Sequence, residues 1–381
     1  MYKKLLILVV FLTILNALFA DLRSAVDSLR LEIEKSSDVY KLHFDLGSCF
    51  YALRDYESAL QEFNRALELK KDFPATEFQI ALIYFHMDSL QKARDKFEGL
   101  RQKYPDKKSV YEWLGYIFGY AGEYEKMLTA FKEYYNRTHK EFFRGQNRGY
   151  DLSREVGMAY AMLKKYQEAI SYYHKEIGYY RFRVEAKMEL AMLYKKTNDI
   201  HKANGCFNEA IASLSKYYDY YNSELKKDLL LDYKSAWCYR LEEFDWGIAL
   251  IDTLIQLKRE SYINIYNLGV FRIASGDPRG LDDITKACII DTTGFVQAVY
   301  GAIVAIKEDS LEKAEQSLKQ PIPGLRRSGI AKGLLAWILE KLGKDTEAKK
   351  YWFKCYGQLP LGTDVESMRS FIDRFIETIS L

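Results

Sequence analysis

The chain has 381 residues, of which 48% are hydrophobic, 29% charged and 15% aromatic, with only 6 Pro and a formal net charge of +3. That composition excludes a disordered or collagen-like chain and describes a folded, largely helical one. The balance of 56 basic against 53 acidic residues argues against nucleic acid or an acidic membrane surface as the main partner.

At the N-terminus, Lys3 and Lys4 precede an uncharged apolar run from Leu5 to Leu15, followed by Asn16-Ala17-Leu18-Phe19-Ala20. This is the layout of a signal peptide over residues 1–20, with an apolar core too short for a comfortable membrane span. Cleavage after Ala20 leaves Asp21 first, and the expected location is then periplasmic or extracellular, with no stable membrane insertion. Leu18 is larger than the usual residue at that place in a cleavage site, and an uncleaved segment would instead serve as a membrane anchor. Removing Lys3 and Lys4 from the 56 basic residues leaves 54 against 53 acidic, a net of +1. Residues 21–37 read as one helix, with Leu22, Ala25, Val26, Leu29 and Ile33 on one side and Arg23, Asp27, Arg30 and Glu34 on the other.

From Val39 a pattern of small and aromatic residues recurs. Leu46-Gly47, Ile80-Ala81 and Leu114-Gly115 stand 34 residues apart, and each is followed by Ala59, Ala93 or Met127 and then by Phe63, Phe97 or Phe131. A fourth unit holds Gly157, Tyr160, Tyr166, Ala169 and Tyr173, and a fifth Ala191, Tyr194, Ala203, Phe207 and Ala210. The later units are more degenerate: Ala236, Tyr239, Phe244, Gly247 and Ile251 in the sixth, Leu268, Gly269, Gly276, Gly280, Ile284 and Ala287 in the seventh, Ala302 and Ala314 in the eighth. The ninth recovers the pattern with Leu335, Ala336, Gly343, Ala348, Trp352 and Pro360. Gly or Ala lets two helices approach closely, and the large aromatics fill the gap to the next pair.

These residues and their period resemble the tetratricopeptide repeat. The resemblance implies an all-α fold: a right-handed superhelical solenoid of about nine helix-turn-helix repeats, with N- and C-terminal capping helices. The repeat array then runs over 38–362: repeats one to three over 38–135, a basic spacer over 136–150, repeats four and five over 151–215, a Tyr-rich spacer over 216–228, and degenerate repeats six to nine over 229–362. Residues 363–381 make the last capping helix. Thr363-Asp364-Val365-Glu366 reads as its capping box, and Val365, Met368, Ile372, Phe375 and Ile379 as its apolar stripe.

No catalytic or metal constellation stands out, and neither an enzyme nor a cofactor is expected. His43, His86, His139, His174 and His201 share no helix turn, so zinc spacing of the HExxH kind is absent. Cys49, Cys206, Cys238, Cys288 and Cys355 include no CxxC and fit small buried residues better than a disulfide framework. An SxxK pattern occurs at Ser89, Ser213 and Ser310. Three hits in a Lys-rich helical chain carry no specificity, and the phosphate-cradling and nucleophile-elbow motifs are missing.

The resemblance also implies a concave groove lined by the first helix of each pair, at positions three before, one after and four after the Gly or Ala. Repeats one to three place Phe44, Ser48, Tyr51, Phe78, Leu82, Phe85, Glu112, Tyr116 and Gly119 there; repeats four to six place Arg154, Met158, Met188, Met192, Lys195, Tyr233, Trp237 and Arg240. The strongest groove candidates are Phe44, Tyr51, Phe78, Phe85, Tyr116, Arg154, Lys195, Tyr233, Trp237 and Arg240. An aromatic groove suits a protein or peptide partner held by stacking and burial. The same residues between adjacent first helices also suit plain core packing. Carbohydrate or small-ligand capture by Tyr233 and Trp237 is the alternative function.

Overall fold

The computed structural model describes residues 21–35, 39–142, 152–179, 184–217, 231, 234–256 and 261–381. The expected signal peptide, residues 143–150 of the basic spacer (136–150) and residues 218–228 of the Tyr-rich spacer (216–228) lie outside the described residues. Among the described residues every regular element is helical. The chain forms two compact units, Met1–Ile117 and Phe118–Leu381.

The first unit opens with α1 (21–33), whose Val26, Leu29 and Ile33 pack on the first repeat. Then come the pairs α2 (Val39–Ala52) with α3 (Tyr56–Leu69) and α4 (Pro74–His86) with α5 (Leu90–Lys103), and most of α6 (Lys108–Tyr120). The small residue in the first helix works as its spacing predicts. A Cβ on Gly47 would stand 2.9 Å from the Phe63 ring, and Phe63 has no exposed surface.

The second unit continues with α7 (Tyr124–Phe142), α8 (Ser153–Met162), α9 (Tyr166–Tyr179), α10 (Val184–Lys196) and α11 (Ile200–Tyr217). After these come α12 (234–240), then α13 (Phe244–Gln256), α14 (Tyr262–Ala274), α15 (Gly280–Ile290), α16 (Phe295–Lys307) and α17 (Leu311–Leu318). The end of the chain is α18 (Pro323–Arg327), α19 (Gly329–Lys341), α20 (Asp345–Lys354) and α21 (Val365–Ser380).

The turn inside each pair carries one residue in the left-handed region: Arg54, Asp88, Gly122, Lys164, Asn198, Glu242, Gly276, Asp309 and Gly343. Successive members stand 34 residues apart, except for 42 before Lys164, 44 before Glu242 and 33 before Asp309. A turn needing that conformation favours glycine, yet six of these nine are not glycine. Nine such turns among the described residues mark nine helix-turn-helix units, and the fold is an all-α helical repeat. No helix among the described residues is long and apolar enough to cross a membrane.

The last helix departs from the expected arrangement in two ways. Its N-cap is Asp364, which accepts from the Ser367 amide at 3.0 Å, in place of Thr363. And α21 does more than close the end of the array. It packs on α14, α16 and α19, with Met368, Phe371, Ile372, Phe375 and Ile379 buried, and its first turns reach back to repeats four to six of the same unit.

Candidate partner-binding site

In the first unit α2 and α4 present one aromatic face. Phe44 lies 5.5 Å from Phe63 and 5.1 Å from Phe73, and Phe78 lies 5.4 Å from Phe97, with the Lys107 ammonium 4.6 Å over its ring. These two rings are drawn into the packing at one end of the helices. At the other end Tyr51, Phe85 and Tyr116 are brought together by two residues outside the inward positions read from the repeat. The His86 imidazole stacks on Tyr56 at 5.8 Å with 8° between planes and sits 5.7 Å from both Tyr51 and Phe85. Trp113 is 5.2 Å from Phe85, 6.2 Å from His86 and 6.0 Å from Tyr116.

The result is a continuous row from Tyr56 through Tyr51, His86, Phe85 and Trp113 to Tyr116. Tyr51, Tyr56, Phe85, Trp113 and Tyr116 are half-buried and His86 is exposed. Partial desolvation of the ring by its aromatic neighbours lowers the His86 pKa, and Arg54 acts in the same direction. Burial, with Tyr56 adding to it, raises the Tyr51 pKa. Both groups are therefore neutral at pH 7, and the row is uncharged with polar edges. Such a surface binds by stacking and burial, and its hydroxyl and indole edges can select orientation.

The candidates in the second unit have internal partners. Arg154 pairs with the buried Glu189 carboxylate and stands 4.0 Å from Glu155. Lys195 donates to the Leu241 carbonyl and to Glu243 Oε1 at 2.5 Å. Arg240 donates to Met188 Sδ at 3.4 Å. Trp237 keeps 1% of its surface and packs on Phe207 at 5.3 Å, inside a cluster with Met188, Met192 and Leu241. Tyr233 lies outside the described residues.

The end of α20 and the chain that follows it pack against the earlier repeats of this unit. Phe353 meets Tyr120 at 5.0 Å, and a Cβ on Gly119 would stand 2.5 Å from the Phe353 ring. The Tyr356 hydroxyl shares a 2.5 Å hydrogen bond with the fully buried Tyr173. The Leu361 amide donates to the Arg240 carbonyl at 2.9 Å. Asp364 accepts from Tyr166 at 2.8 Å and pairs with Lys196, which also donates to Ser367. Lys164 pairs with Glu366, and Arg374 donates to Glu242 at 2.9 Å.

Other chemistry is sparse. His43 Nδ1 faces Glu62 at 2.6 Å and His174 Nε2 faces the Tyr194 hydroxyl at 2.7 Å. All five cysteines are unpaired as disulfides. Among the described residues no group of three His, Cys, Asp or Glu converges as a metal site.

Two tetratricopeptide-repeat sequence profiles match the chain, over residues 40–73 and 75–107. No curated protein sequence matches it. Solved structures similar in fold include YrrB, described as a TPR protein with an unusual peptide-binding site, at 15% identity over 49% of this chain and 93% of that one with a TM-score of 0.40. MamA is similar at 14% identity over 49% and 98% with a TM-score of 0.43. Pseudomonas aeruginosa pilF is similar at 16% over 58% and 93% with a TM-score of 0.40. Residues 40–73 and 75–107 are thus tetratricopeptide repeats, and the same helix-turn-helix unit recurs through the nine turns found among the described residues.

Proposed function

We propose that this repeat scaffold is exported and non-catalytic, and that it holds a protein or peptide partner against the aromatic row of repeats one to three. The observation that carries the reading is the contrast between the two units. In Met1–Ile117 the row through Tyr51, His86, Phe85, Trp113 and Tyr116 keeps part of each ring exposed. In Phe118–Leu381 the chain's own C-terminal segment packs against the repeats. Partly exposed Tyr and Trp rings clustered on one face are the residue types that dominate binding energy at protein interfaces. Export rests on the basic, apolar and small-residue layout of residues 1–20.

Carbohydrate capture is not favoured by any observation, since Trp237 keeps only 1% of its surface. The test is capture from envelope extract by residues 21–381, run beside the Tyr51→Ala/Phe85→Ala/Tyr116→Ala variant. The expected outcome is a partner retained by the native chain and lost, by at least about tenfold in affinity, from a variant with unchanged helical circular dichroism. Equal retention by both chains removes the groove of repeats one to three from the proposal.

A further inference from the structure

The aromatic row of repeats one to three carries more chemistry than flat faces. It crosses from the C-terminal ends of α2 and α4 to the middle of α6 in nearly equal steps. Tyr51 to His86 is 5.7 Å between ring centres, His86 to Trp113 is 6.2 Å and Trp113 to Tyr116 is 6.0 Å. Three polar edges of the row have no hydrogen-bond partner among the described residues: the Tyr51 and Tyr56 hydroxyls and the half-buried Trp113 indole N–H. An indole N–H can only donate. At the Tyr51 end stands Arg54, in the turn between α2 and α3 and close enough to His86 to act on its titration. Arg54 is exposed and forms no ion pair among the described residues.

These features discriminate among the ways a chain segment is bound. A helix laid in a groove uses its carbonyls within itself and gives the row's donors nothing to meet. An added strand needs a sheet edge, and there is no strand among the described residues. A polyproline II segment makes no internal hydrogen bonds, so every carbonyl is open to a donor, and at each proline there is no N–H to strand. Its rise of about 3.1 Å per residue sets alternate residues about 6 Å apart, the step between the rings. Such a segment is stiff before it binds and loses little entropy on an aromatic-lined surface. The unpaired Arg54 guanidinium adds a charge requirement that an apolar surface lacks: it calls for a carboxylate at that end.

We propose that the row takes a proline-rich segment in the polyproline II form, with an acidic residue at the end beside Arg54. The prolines pack on the Tyr51, Phe85 and Trp113 rings. The segment's carbonyls accept from Trp113 Nε1–H and from the Tyr51 and Tyr56 hydroxyls, and Arg54 pairs with the carboxylate. The inference rests on the reading that repeats one to three hold a partner, and it narrows that partner to one chemical class.

The test titrates the full chain with a fluorescent oligoproline of about eight residues, long enough to span the row at about 3.1 Å per residue. It carries a glutamate at each end, so that either direction of binding brings a carboxylate to Arg54. Two controls of the same length carry lysine at each end, or glycine and serine in place of the prolines. The glutamate-ended oligoproline is expected to bind at least about tenfold tighter than either control. Arg54 has a φ of 62°, a conformation that glycine adopts without strain, so Arg54→Gly keeps the turn and should bring the glutamate-ended and lysine-ended peptides to within about twofold of each other. Trp113→Phe keeps a ring and removes the donor, and should weaken the oligoproline by about threefold or more. Equal binding of the proline and glycine-serine peptides overturns the proposal. So does a preference for glutamate ends that survives Arg54→Gly, or undiminished binding by Trp113→Phe. If either variant fails to match the native circular dichroism, the three peptides on the native chain decide. A partner captured from envelope extract through Tyr51, Phe85 and Tyr116, with no binding of the oligoproline, overturns this inference and leaves the partner site standing. Equal binding of the oligoproline by the native and Tyr51→Ala/Phe85→Ala/Tyr116→Ala chains removes both.

Discussion

Replacing Asp364 by Asn removes one charge from the contact with Lys196 and leaves the shape. The Asn oxygen still caps α21 through the Ser367 amide, and its amide nitrogen, in the place of Oδ2, donates to the Tyr166 hydroxyl in place of accepting from it. What is lost is the charge facing Lys196, whose side chain is 16% exposed. Removing one partner of a fully buried pair costs about 3–5 kcal/mol. Lys196 retains some solvent and its bond to Ser367, so the expected cost is about 2 kcal/mol, the scale of a charged hydrogen bond. For a unit of this size that lowers Tm by about 4–8 °C. Burial raises the Asp364 pKa, but the Lys196 ammonium, the Ser367 amide and the Tyr166 hydroxyl outweigh it, and the carboxyl titrates below its ordinary value of 3.8. A carboxyl held low in the fold stabilises above its unfolded pKa and loses that contribution as pH falls through the lower folded one. The native chain and Asp364→Asn should therefore differ by a constant amount from pH 7 to about pH 5 and converge below pH 4. Urea unfolding at these values, followed by circular dichroism, measures the difference. A gap that persists or widens in acid, or no gap at pH 7, refutes the assignment of Asp364 as an ionised partner of Lys196.

Three further outcomes are expected. Tyr173→Phe and Tyr356→Phe each strand the other hydroxyl in a buried site and should each cost about 1–3 kcal/mol. The double variant should cost less than their sum, and an additive cycle in urea unfolding would deny the 2.5 Å contact. Gly343 has a φ of +69° with open space around its Cα, so Gly343→Ala should cost about 1–2 kcal/mol from backbone strain alone, read as a lower Tm with unchanged helix content. Trp237→Ala should cost about 3–5 kcal/mol of stability and leave retention of the partner on repeats one to three unchanged. A binding loss without a stability loss would return Trp237 to the list of contact residues.

Much of the fold is legible in the residues. The recurrence of Gly47, Ala81, Gly157 and Ala191 opposite Phe63, Phe97, Tyr173 and Phe207 is the packing rule of each helix pair, written locally and repeated. The turn inside each pair is less legible. Only Gly122, Gly276 and Gly343 announce their left-handed conformation; Arg54, Asp88, Lys164, Asn198, Glu242 and Asp309 adopt it because the flanking helices demand it. The site was half legible. Tyr51, Phe85 and Tyr116 follow from the repeat positions, but His86 and Trp113, which join them, sit at positions the repeat does not mark as inward. Their only sequence signal is that they are large flat rings on the same helices.

By itself, then, the sequence determined that this is an array of paired helices and where the pairs break, because those properties depend on residues within about one repeat of each other. Only the tertiary structure decided which groove-facing residues keep a free face. That depends on how small rotations accumulate from repeat to repeat, until Asp364 meets Lys196 across 168 residues and Tyr356 meets Tyr173 across 183. No local pattern encodes such a meeting: a helix read as a terminal cap has the same apolar stripe whether it closes the end of an array or lies inside it.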